Sequence, residues 1–411
     1  MWLVIFAVTI LGALGALIFL FTRFQKFFIV RKIAGDRRVV RWLLALIPIL
    51  LIIGFCFIDT INTIIVVLNL MLVWILADFL VWIVRKIERI GKGGDAGKIG
   101  NVENVEKNIK EESAEIIESG IDGEGKKTEK NDKNDKGDTG IYYTGIAVIV
   151  FNVIYLLVGA FLAYHVVRTS YDLKTEKKLS KDNLKLVLIA DSHIGTTFDG
   201  EGFAKHMKTI QDENPDAVLI AGDFVDDDTN KEDMIRSCQA LGELETTCGI
   251  YYVCGNHDKG YSNYRGFSYD DLTAELRKNG VVVLEDEAVL VMDSFYIIGR
   301  KDKGDGKRKS PVELLEGLDK SKYMIMLDHQ PSDYRLESAS EVDLVLSGHT
   351  HGGQMIPITK VGEWIGANDG TYGYERINNT DFIITSGISD WAIKFKTGTK
   401  SEYVVLNILS Q

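Results

Sequence analysis

The stretch LKLVLIADSH, residues 184–193, decides the fold of the second half of the chain. Residues 184–190 are mostly apolar, and a short apolar run that ends in polar residues predicts a buried β-strand. The run leads into Asp191 and His193, whose side chains are common metal ligands. This stretch therefore predicts a strand that delivers candidate metal ligands at its end.

The same arrangement occurs again toward the C-terminus. Apolar runs at 217–221, 250–254, 323–327 and 342–346 lead into Gly222-Asp223, Gly255-Asn256-His257-Asp258, Asp328-His329 and Ser347-Gly348-His349-Thr350-His351. Residues 203–212, 231–244 and 269–278 have helical spacing and predict helices that cover the faces of a sheet. Open α/β folds place their sites where the strands end, so we expect the polar residues to gather along one edge.

The residue types in these blocks favour a metal site rather than a structural zinc finger. Histidine, aspartate and asparagine suit Mn, Fe, Zn or Mg at sites that keep positions open for water. An aspartate can bridge two ions through its two oxygens. Two neighbouring divalent ions activate a bridging water and neutralise the charge of a phosphate under attack, which indicates phosphate-ester chemistry.

The ordered blocks resemble the calcineurin-like metallophosphoesterase superfamily. The matching residues are Asp191-x-His193, Gly222-Asp223, Gly255-Asn256-His257-Asp258, His329 and Gly348-His349-x-His351. The continuation to Gln354 is similar to the membrane-associated bacterial branch of that family. The resemblance covers about residues 181–410 and implies a four-layer α-β-β-α sandwich, a dinuclear metal site at the strand ends, and activity as a metal-dependent phosphoric ester hydrolase.

The resemblance also implies a role for each matched side chain. The first metal would be held by Asp191, His193 and His351. Asp223 would bridge the two metals, and Asn256, His329 and His349 would complete the second site. His257 would contact the phosphate, next to Asn256, and protonate the leaving group. Asp258 would orient His257 as a carboxylate behind the ring.

Three further segments leave alternatives open. Arg300 begins a basic loop, residues 300–309, that either binds an anionic head group or forms a solvated turn; Arg300 is a further substrate-binding candidate. The acids at 226–228 favour a solvated loop over a calcium-binding role or a role in the third shell of the metal site. Residues 387–400 are bulkier and more basic than the resemblance implies, notably at Trp391, Lys394 and Lys396.

The first half of the chain has the composition of a membrane protein. Apolar segments at 2–21, 42–58, 64–84 and 146–167 are long enough to cross a bilayer. Residues 91–140 contain 9 lysines, 13 acids and 10 glycines and no aromatic residue, which predicts a disordered linker. We therefore expect three transmembrane helices in 1–90, a charged cytoplasmic linker at 91–140, a fourth transmembrane helix in 141–168, and a catalytic domain at 181–411.

The basic loop at 23–41 should remain cytoplasmic, so four crossings that begin outside would place the catalytic domain outside the cytoplasm. A second basic cluster at 168–181 favours the opposite orientation, although large domains translocate largely regardless of such charges. The first loop should therefore dominate, and we expect an integral protein of the cell membrane whose catalytic domain lies outside the cytoplasm.

The net charge and the cysteine content indicate which partners to expect and whether the cysteines form disulfides. The net charge is −11 and no dense basic stripe occurs in the C-terminal half, so nucleic acid is not an expected partner. We expect a phosphorylated small molecule or lipid as substrate, and the membrane itself as a partner. Cys238 and Cys248 could pair in an oxidising space, but free thiols are favoured.

Two functions of different classes fit this sequence. The first is hydrolysis of a phosphomonoester or phosphodiester, with envelope and lipid-linked compounds among the candidates. The alternative is a non-catalytic membrane sensor or partner platform that retains a metal-binding domain. The absence of any gap in the set of matched positions favours the enzyme.

Overall fold

The computed structural model of the chain describes residues 2–94, 141–260 and 265–411. These residues form two compact units, Met1–Val153 and Ile154–Gln411. The segment expected to be a disordered linker, 91–140, lies outside the described residues except for its first four positions, which end a helix.

The first unit is built from apolar helices. In chain order they are α1 (Trp2–Phe24), α2 (Phe28–Ala34), α3 (Arg38–Cys56) and α4 (Thr60–Gly94), followed by α5 (Tyr143–Tyr164), which continues into the second unit. Within the described ranges, α1, α3, α4 and α5 are long and apolar enough to cross a membrane. The four predicted transmembrane segments are therefore present as helices.

Side chains of the first unit pack around one tryptophan. Trp74 of α4 is fully buried in a cluster with Leu20, Ile49 and other apolar residues. The indole N–H of Trp74 donates to the Tyr142 hydroxyl at 3.0 Å. A buried Trp is satisfied in this way because its ring is apolar while its N–H needs an acceptor.

Two mixed sheets form the centre of the second unit. Within the described residues each sheet has six strands. The first contains, in spatial order, β1 (Val167–Thr175), β12 (Glu402–Ser410), β2 (Asn183–Ile189), β3 (Ala217–Ala221), β4 (Gly249–Val253) and β5 (Val281–Val283). The second contains β10 (Gly373–Ile377), β11 (Thr380–Ile384), β9 (Leu344–Ser347), β8 (Tyr323–Leu327), β7 (Phe295–Gly299) and β6 (Glu287–Val291).

Short helices connect the strands within the described part of the second unit, and several of them pack on the outer faces of the two sheets. They are α6 (Gly200–Gln211), α7 (Lys231–Gly242), α8 (Asn256–Gly260), α9 (Tyr269–Lys278), α10 (Pro311–Leu315), α11 (Tyr334–Ser338) and α12 (Val361–Trp364), with a 3₁₀ turn at His351–Gly353. Side chains cap the N-termini of several of these helices. At α9, for example, Ser268 and Asp271 form a reciprocal capping box.

Alternation along the strands builds three apolar layers. Leu186 and Leu188 of β2 point into the core between the two sheets, whereas Val187 and Ile189 point toward the covering helices of the first sheet. A third cluster, which includes Ile298, packs between the second sheet and its helices. These layers confirm the predicted four-layer α-β-β-α sandwich.

The first sheet begins before the predicted domain start at Lys181. Strand β1 pairs in parallel with β12 along its whole length, from Val167 against Glu402 to Thr175 against Ser410. This places β12 between β1 and β2, with both of its edges hydrogen-bonded. Edge strand β1 thus protects a nine-residue strand of mostly buried, apolar residues.

This pairing makes a prediction for truncated chains. A chain that starts at Val167 should be monomeric, whereas a chain that starts at Lys181 exposes the hydrogen-bonding edge of β12 and should self-associate. Size-exclusion chromatography with light scattering, at matched concentrations, measures the difference. Monomeric behaviour of both chains would show that β1 does not protect the sheet.

Candidate metal centre

Loops at the carboxyl ends of five strands bring the predicted metal ligands together. Asp191 and His193 follow β2, Asp223 follows β3, Asn256 follows β4, His329 follows β8, and His349 and His351 follow β9. Because β2, β3 and β4 run parallel, and β8 and β9 run parallel in the facing sheet, the ends of the two sets of strands meet at one edge of the sandwich.

The first group of ligand atoms contains Asp191, His193 and His351. One ligand atom from each side chain lies within 4.8 Å of the others, and all three residues are buried. The Nε2 atoms of His193 and His351 are 3.2 Å apart, and His351 Nε2 is 3.8 Å from Asp191 Oδ1. Two imidazole nitrogens and a carboxylate that converge in this way are suited to hold one divalent cation.

The second group contains Asp223, His329 and His349, whose ligand atoms also lie within 4.8 Å of one another. His329 Nε2 is 3.1 Å from Asp223 Oδ2. The same carboxylate oxygen is 3.7 Å from His193 Nε2 in the first group. Asp223 therefore lies between the two groups.

Asn256 supports a metal at the second group. Its Oδ1 atom is buried and has no hydrogen-bond donor among the described residues. A buried amide oxygen without a donor is costly, since the group loses its hydration without compensation. A cation removes this cost, and the whole set of nitrogen and oxygen donors fits divalent metals.

Contacts behind the histidines orient their ring nitrogens. His193 Nδ1 is 2.9 Å from Asp226 Oδ2, and His329 Nδ1 is 2.7 Å from the carbonyl oxygen of Ala221. When Nδ1 donates to these oxygens, the lone pair of Nε2 points toward the centre. The hydrogen bond to Ala221 therefore holds His329 in the tautomer that binds a metal through Nε2, whereas His193 Nδ1 lies at ion-pair distance from Asp226.

The backbone is strained at the ligand residues. Positive φ angles occur at Asp191 (52°), His193 (35°), Asp223 (51°), His349 (71°) and His351 (48°). Such conformations are unfavourable for residues with a side chain and cost on the order of 1–3 kcal/mol each. Their concentration here indicates that the surrounding fold holds the ligands in place.

Glycines allow the loops to approach closely. A Cβ atom at Gly255 would lie 2.1 Å from Asp223 Oδ1, and one at Gly348 would lie 2.6 Å from Asp191 Oδ2. Real Cβ contacts are not this short, so a side chain at either position would displace a carboxylate. This explains why the Gly-Asn-His-Asp and Gly-His-Thr-His blocks begin with glycine.

The electrostatics of the centre favour a cationic occupant. Burial raises the pKa of the Asp191 carboxyl to about 6. Burial and the neighbouring His329 lower the pKa of His349 to about 4. A divalent cation stabilises the ionised carboxylate and the neutral imidazole, which are the forms that bind it.

Asp226, expected in a solvated loop, is instead buried beside the metal ligands. Its side chain contacts two rings: Oδ2 is 2.9 Å from His193 Nδ1, and Oδ1 is 2.8 Å from His257 Nδ1. Although burial disfavours its charged form, the hydrogen bonds with His193 and His257 hold the pKa of Asp226 below its usual range. Asp226 is thus a carboxylate that orients one predicted ligand and the predicted acid together.

The contact between Asp226 and His257 corrects the role expected for Asp258, which was to orient the His257 ring. The oxygens of Asp258 accept backbone N–H bonds from Phe224, Val225 and Gly255 at 2.8–3.1 Å. Asp258 therefore fixes the loops after β3 and β4, which carry Asp223 and Asn256. The carboxylate at the Nδ1 atom of His257 is Asp226.

Arg300 is likewise placed differently from expectation. Its side chain is 2% exposed and is paired with Asp328 at 2.7 Å and Glu337 at 3.3 Å. Arg308 from the same loop also contacts Asp328, at 3.0 Å. The two arginines are committed to buried carboxylates, so they position the loop that carries His329 and are not directed at a substrate.

Residues 387–400, the bulky and basic segment near the C-terminus, lie at one side of the centre. Trp391 lies with its ring centroid 5.3 Å from that of His257, and its side chain is partly exposed. Lys396 is fully buried, and its Nζ atom donates to the carbonyl oxygens of Ser386 and Ser389 at 2.8 Å and contacts Asp390 at 3.2 Å. Lys396 therefore fixes this loop, while Trp391 borders the site.

Comparisons with known proteins agree with this geometry. The profile of the calcineurin-like phosphoesterase family matches residues 184–353, which contain all seven predicted metal ligands. An uncharacterized metallophosphoesterase of Aquifex aeolicus is 34% identical over 189 residues, which cover 44% of this chain and 69% of that protein. An uncharacterized metallophosphoesterase of Campylobacter jejuni is 29% identical over 282 residues, 65% of this chain and 71% of that protein.

One vertebrate relative is named as a transmembrane protein that carries a metallophosphoesterase domain. A transmembrane protein with metallophosphoesterase domain from Danio rerio is 26% identical over 238 residues, covering 54% of this chain and 52% of that protein. The chain is thus similar to metallophosphoesterases of bacteria and of a vertebrate.

The contacts of Asp226 lead to a test by substitution. Asp226→Asn keeps the shape but removes the charge that orients His193 and His257, so turnover and metal affinity should fall about 10–100-fold. Asp228→Asn, at an exposed position two residues away, is the matched control and should change neither. Phosphatase assays combined with elemental analysis of the bound metal measure both effects. Wild-type values for Asp226→Asn would contradict the orienting role.

Proposed function

Because the chain belongs to the calcineurin-like metallophosphoesterase family, we propose that it is a membrane-anchored enzyme that hydrolyses a phosphomonoester or phosphodiester with two divalent cations. The observation that carries the proposal is the convergence of two adjacent ligand groups on the shared carboxylate of Asp223. One group alone would suit a structural ion, whereas two groups that share a carboxylate suit the chemistry of phosphate esters.

The residues divide into two ligand sets with one shared member. Asp191, His193 and His351 would hold one cation, and Asn256, His329 and His349 the other, with Asp223 contacting both. The cations would be Mn, Fe, Zn or Mg. When bound, they supply an activated water and compensate the negative charge of the phosphoryl group.

His257 is the residue we assign to the leaving group. Its backbone N–H donates to Asp223 Oδ1 at 2.8 Å, which fixes the main chain of His257 against the bridging carboxylate. Asp226 holds Nδ1 of the ring at 2.8 Å, so Nε2 is the atom that would protonate the leaving oxygen. The ring lies beside Trp391 at the border of the site, where an ester substituent would leave.

The alternative is a non-catalytic metal-binding platform. A protein that had lost catalysis would be expected to have lost a ligand or the acid. Each predicted ligand position is filled here, and His257 is supported by a buried carboxylate that a platform does not need. These observations support the enzyme.

We further propose that the protein resides in the cell membrane with the catalytic unit outside the cytoplasm. The basic residues between α1 and α3 support this orientation, because short loops rich in Lys and Arg remain cytoplasmic. Four spanning helices then return the chain to the outer side after α5.

The catalytic proposal is tested with the full chain purified in detergent. With Mn²⁺ it should hydrolyse p-nitrophenyl phosphate or its diester, and His257→Ala should reduce turnover about 10²–10⁴-fold while the metal content is retained, because the ring acts on the substrate and not on the metals. His206→Ala, a histidine on α6, is the matched control. No turnover with any of the four metals, from folded protein, would favour the platform, and equal loss of metal and turnover would contradict the role of His257.

Sidedness is tested separately by a reporter fused after Gln411. An alkaline phosphatase reporter should be active, because it folds only outside the cytoplasm, and a fluorescent protein that requires the cytoplasm should be dark. The reverse pattern would overturn the proposed orientation and leave the chemistry unaffected.

A further inference from the structure

An exposed apolar loop follows the last metal ligand. Residues 355–367, here called the apolar loop, begin four positions after His351 and include α12. The exposed side chains are Ile356 (54%), Ile358 (54%), Val361 (38%), Trp364 (73%) and Ile365 (73%). Scattered apolar residues are normal on a protein surface, but a contiguous group of this size marks an interaction site.

The apolar loop is attached to a helix that crosses the membrane. The hydroxyl of Tyr155, on α5, donates to the carbonyl oxygen of Ile356 at 2.9 Å and lies 2.6 Å from Thr397 Oγ1. The backbone N–H of Lys396 donates to the carbonyl oxygen of Gly159 at 3.0 Å. Tyr155 and Gly159 are four positions apart and share one face of α5, so Ile356 of the apolar loop and the neighbouring segment around Lys396 lie against that face.

The position of Tyr155 along α5 sets the depth of this contact. Tyr155 lies nine residues before the end of α5 at Tyr164, which corresponds to roughly 13 Å along the helix axis. Helical side chains also point toward the N-terminus of their helix, and here that direction leads further into the membrane. A segment bonded to Tyr155 is therefore below the level at which α5 leaves the bilayer.

Several backbone N–H groups of the apolar loop are bonded within the protein. The N–H groups of Ile356, Ile358, Val361, Trp364, Ile365 and Gly366 all donate to protein oxygens. Its exposed charges also pair with each other, since Lys360 Nζ is 3.4 Å from Glu363 Oε2. Internal satisfaction of polar groups is what a bilayer demands of any backbone that enters it.

The same loop connects the bilayer to the metal centre. Gln354, the residue before the apolar loop, donates through Nε2 to the carbonyl oxygen of Ile393 at 2.7 Å. Ile393 lies two residues after Trp391, the residue beside His257. The apolar loop and one border of the centre are thus held together by a short, hydrogen-bonded segment.

From these contacts we infer that the apolar loop lies in the lipid leaflet at the Tyr164 end of α5, and that the metal centre acts on the phosphate ester of a membrane-resident amphiphile. This inference rests on the proposed phosphoesterase function. The apolar part of the substrate remains in the leaflet, while its phosphate reaches the centre at the level of the head groups. Trp364 is suited to this boundary, because tryptophan prefers the membrane interface.

The bilayer contact is tested without catalysis, using the full chain in phosphatidylcholine nanodiscs. Brominated acyl chains should quench the fluorescence of the wild-type chain more than that of Trp364→Phe, because Trp364 contributes a quenched signal only if it lies among lipids. Equal quenching of the two proteins would place Trp364 in water, or under another protein surface, and would overturn the inference.

The substrate class is tested by comparing two probes, phosphatidic acid in the nanodisc and soluble p-nitrophenyl phosphate. Ile365→Asp should reduce turnover of the lipid probe about tenfold or more, since it removes binding energy that is remote from the reacting phosphate. Turnover of the soluble probe should stay within about twofold, as expected for an exposed substitution. Val312→Asp, at an exposed aliphatic position on α10, is the matched control and should change neither rate.

The outcomes separate the inference from the function on which it rests. Equal effects of Ile365→Asp on both probes, or turnover of the soluble probe alone, would overturn the amphiphile as substrate while the phosphoesterase stands. Failure of both probes would overturn the proposed function and the substrate class together. Lipid quenching of Trp364 in that case would still support the bilayer contact.

Discussion

Two buried carboxylates, Asp191 and Asp223, set the constraint on which the rest of the second unit depends. Both are almost completely excluded from solvent, and both face imidazole rings at less than 4 Å. Burying two charges at one sheet edge is unfavourable unless counter-charges or cations compensate them. The strained loops, the closely packed glycines and the oriented histidines are all consequences of holding these two carboxylates together.

Residues of both sheets hold the loops that carry the predicted ligands. Asp258 fixes the loops after β3 and β4 through backbone N–H groups. On the facing sheet, Arg300 holds Asp328, the residue before His329. The loops after β3, β4 and β8 are thus anchored by a buried ion pair or a set of hydrogen bonds. Such contacts let a site keep a geometry that its backbone alone would not favour.

The ligand blocks were predictable from the sequence because each is local: a short apolar run followed at once by a ligand. The same periodicity predicted buried strands and covering helices, whereas the four-layer arrangement followed only from the resemblance to the metallophosphoesterase superfamily. Asp226 was missed because Asp226-Asp227-Asp228 has the composition of a solvated loop, and only the fold shows that one of the three acids is buried between two histidines. Strand β1 was missed because it alternates charged and apolar residues at a sheet edge, and the partners of Arg300 are distant in sequence.

Asp226 also changes how the centre is understood. A carboxylate that contacted His257 alone would tune only the acid, and one that contacted His193 alone would tune only a metal ligand. Because its two oxygens reach one ring each, the position of the acid and the position of the ligand cannot vary independently. The proposed leaving-group acid is therefore held in register with the candidate metal centre by a single side chain, and the loop after β3 supplies both the proposed bridging carboxylate and this coupling.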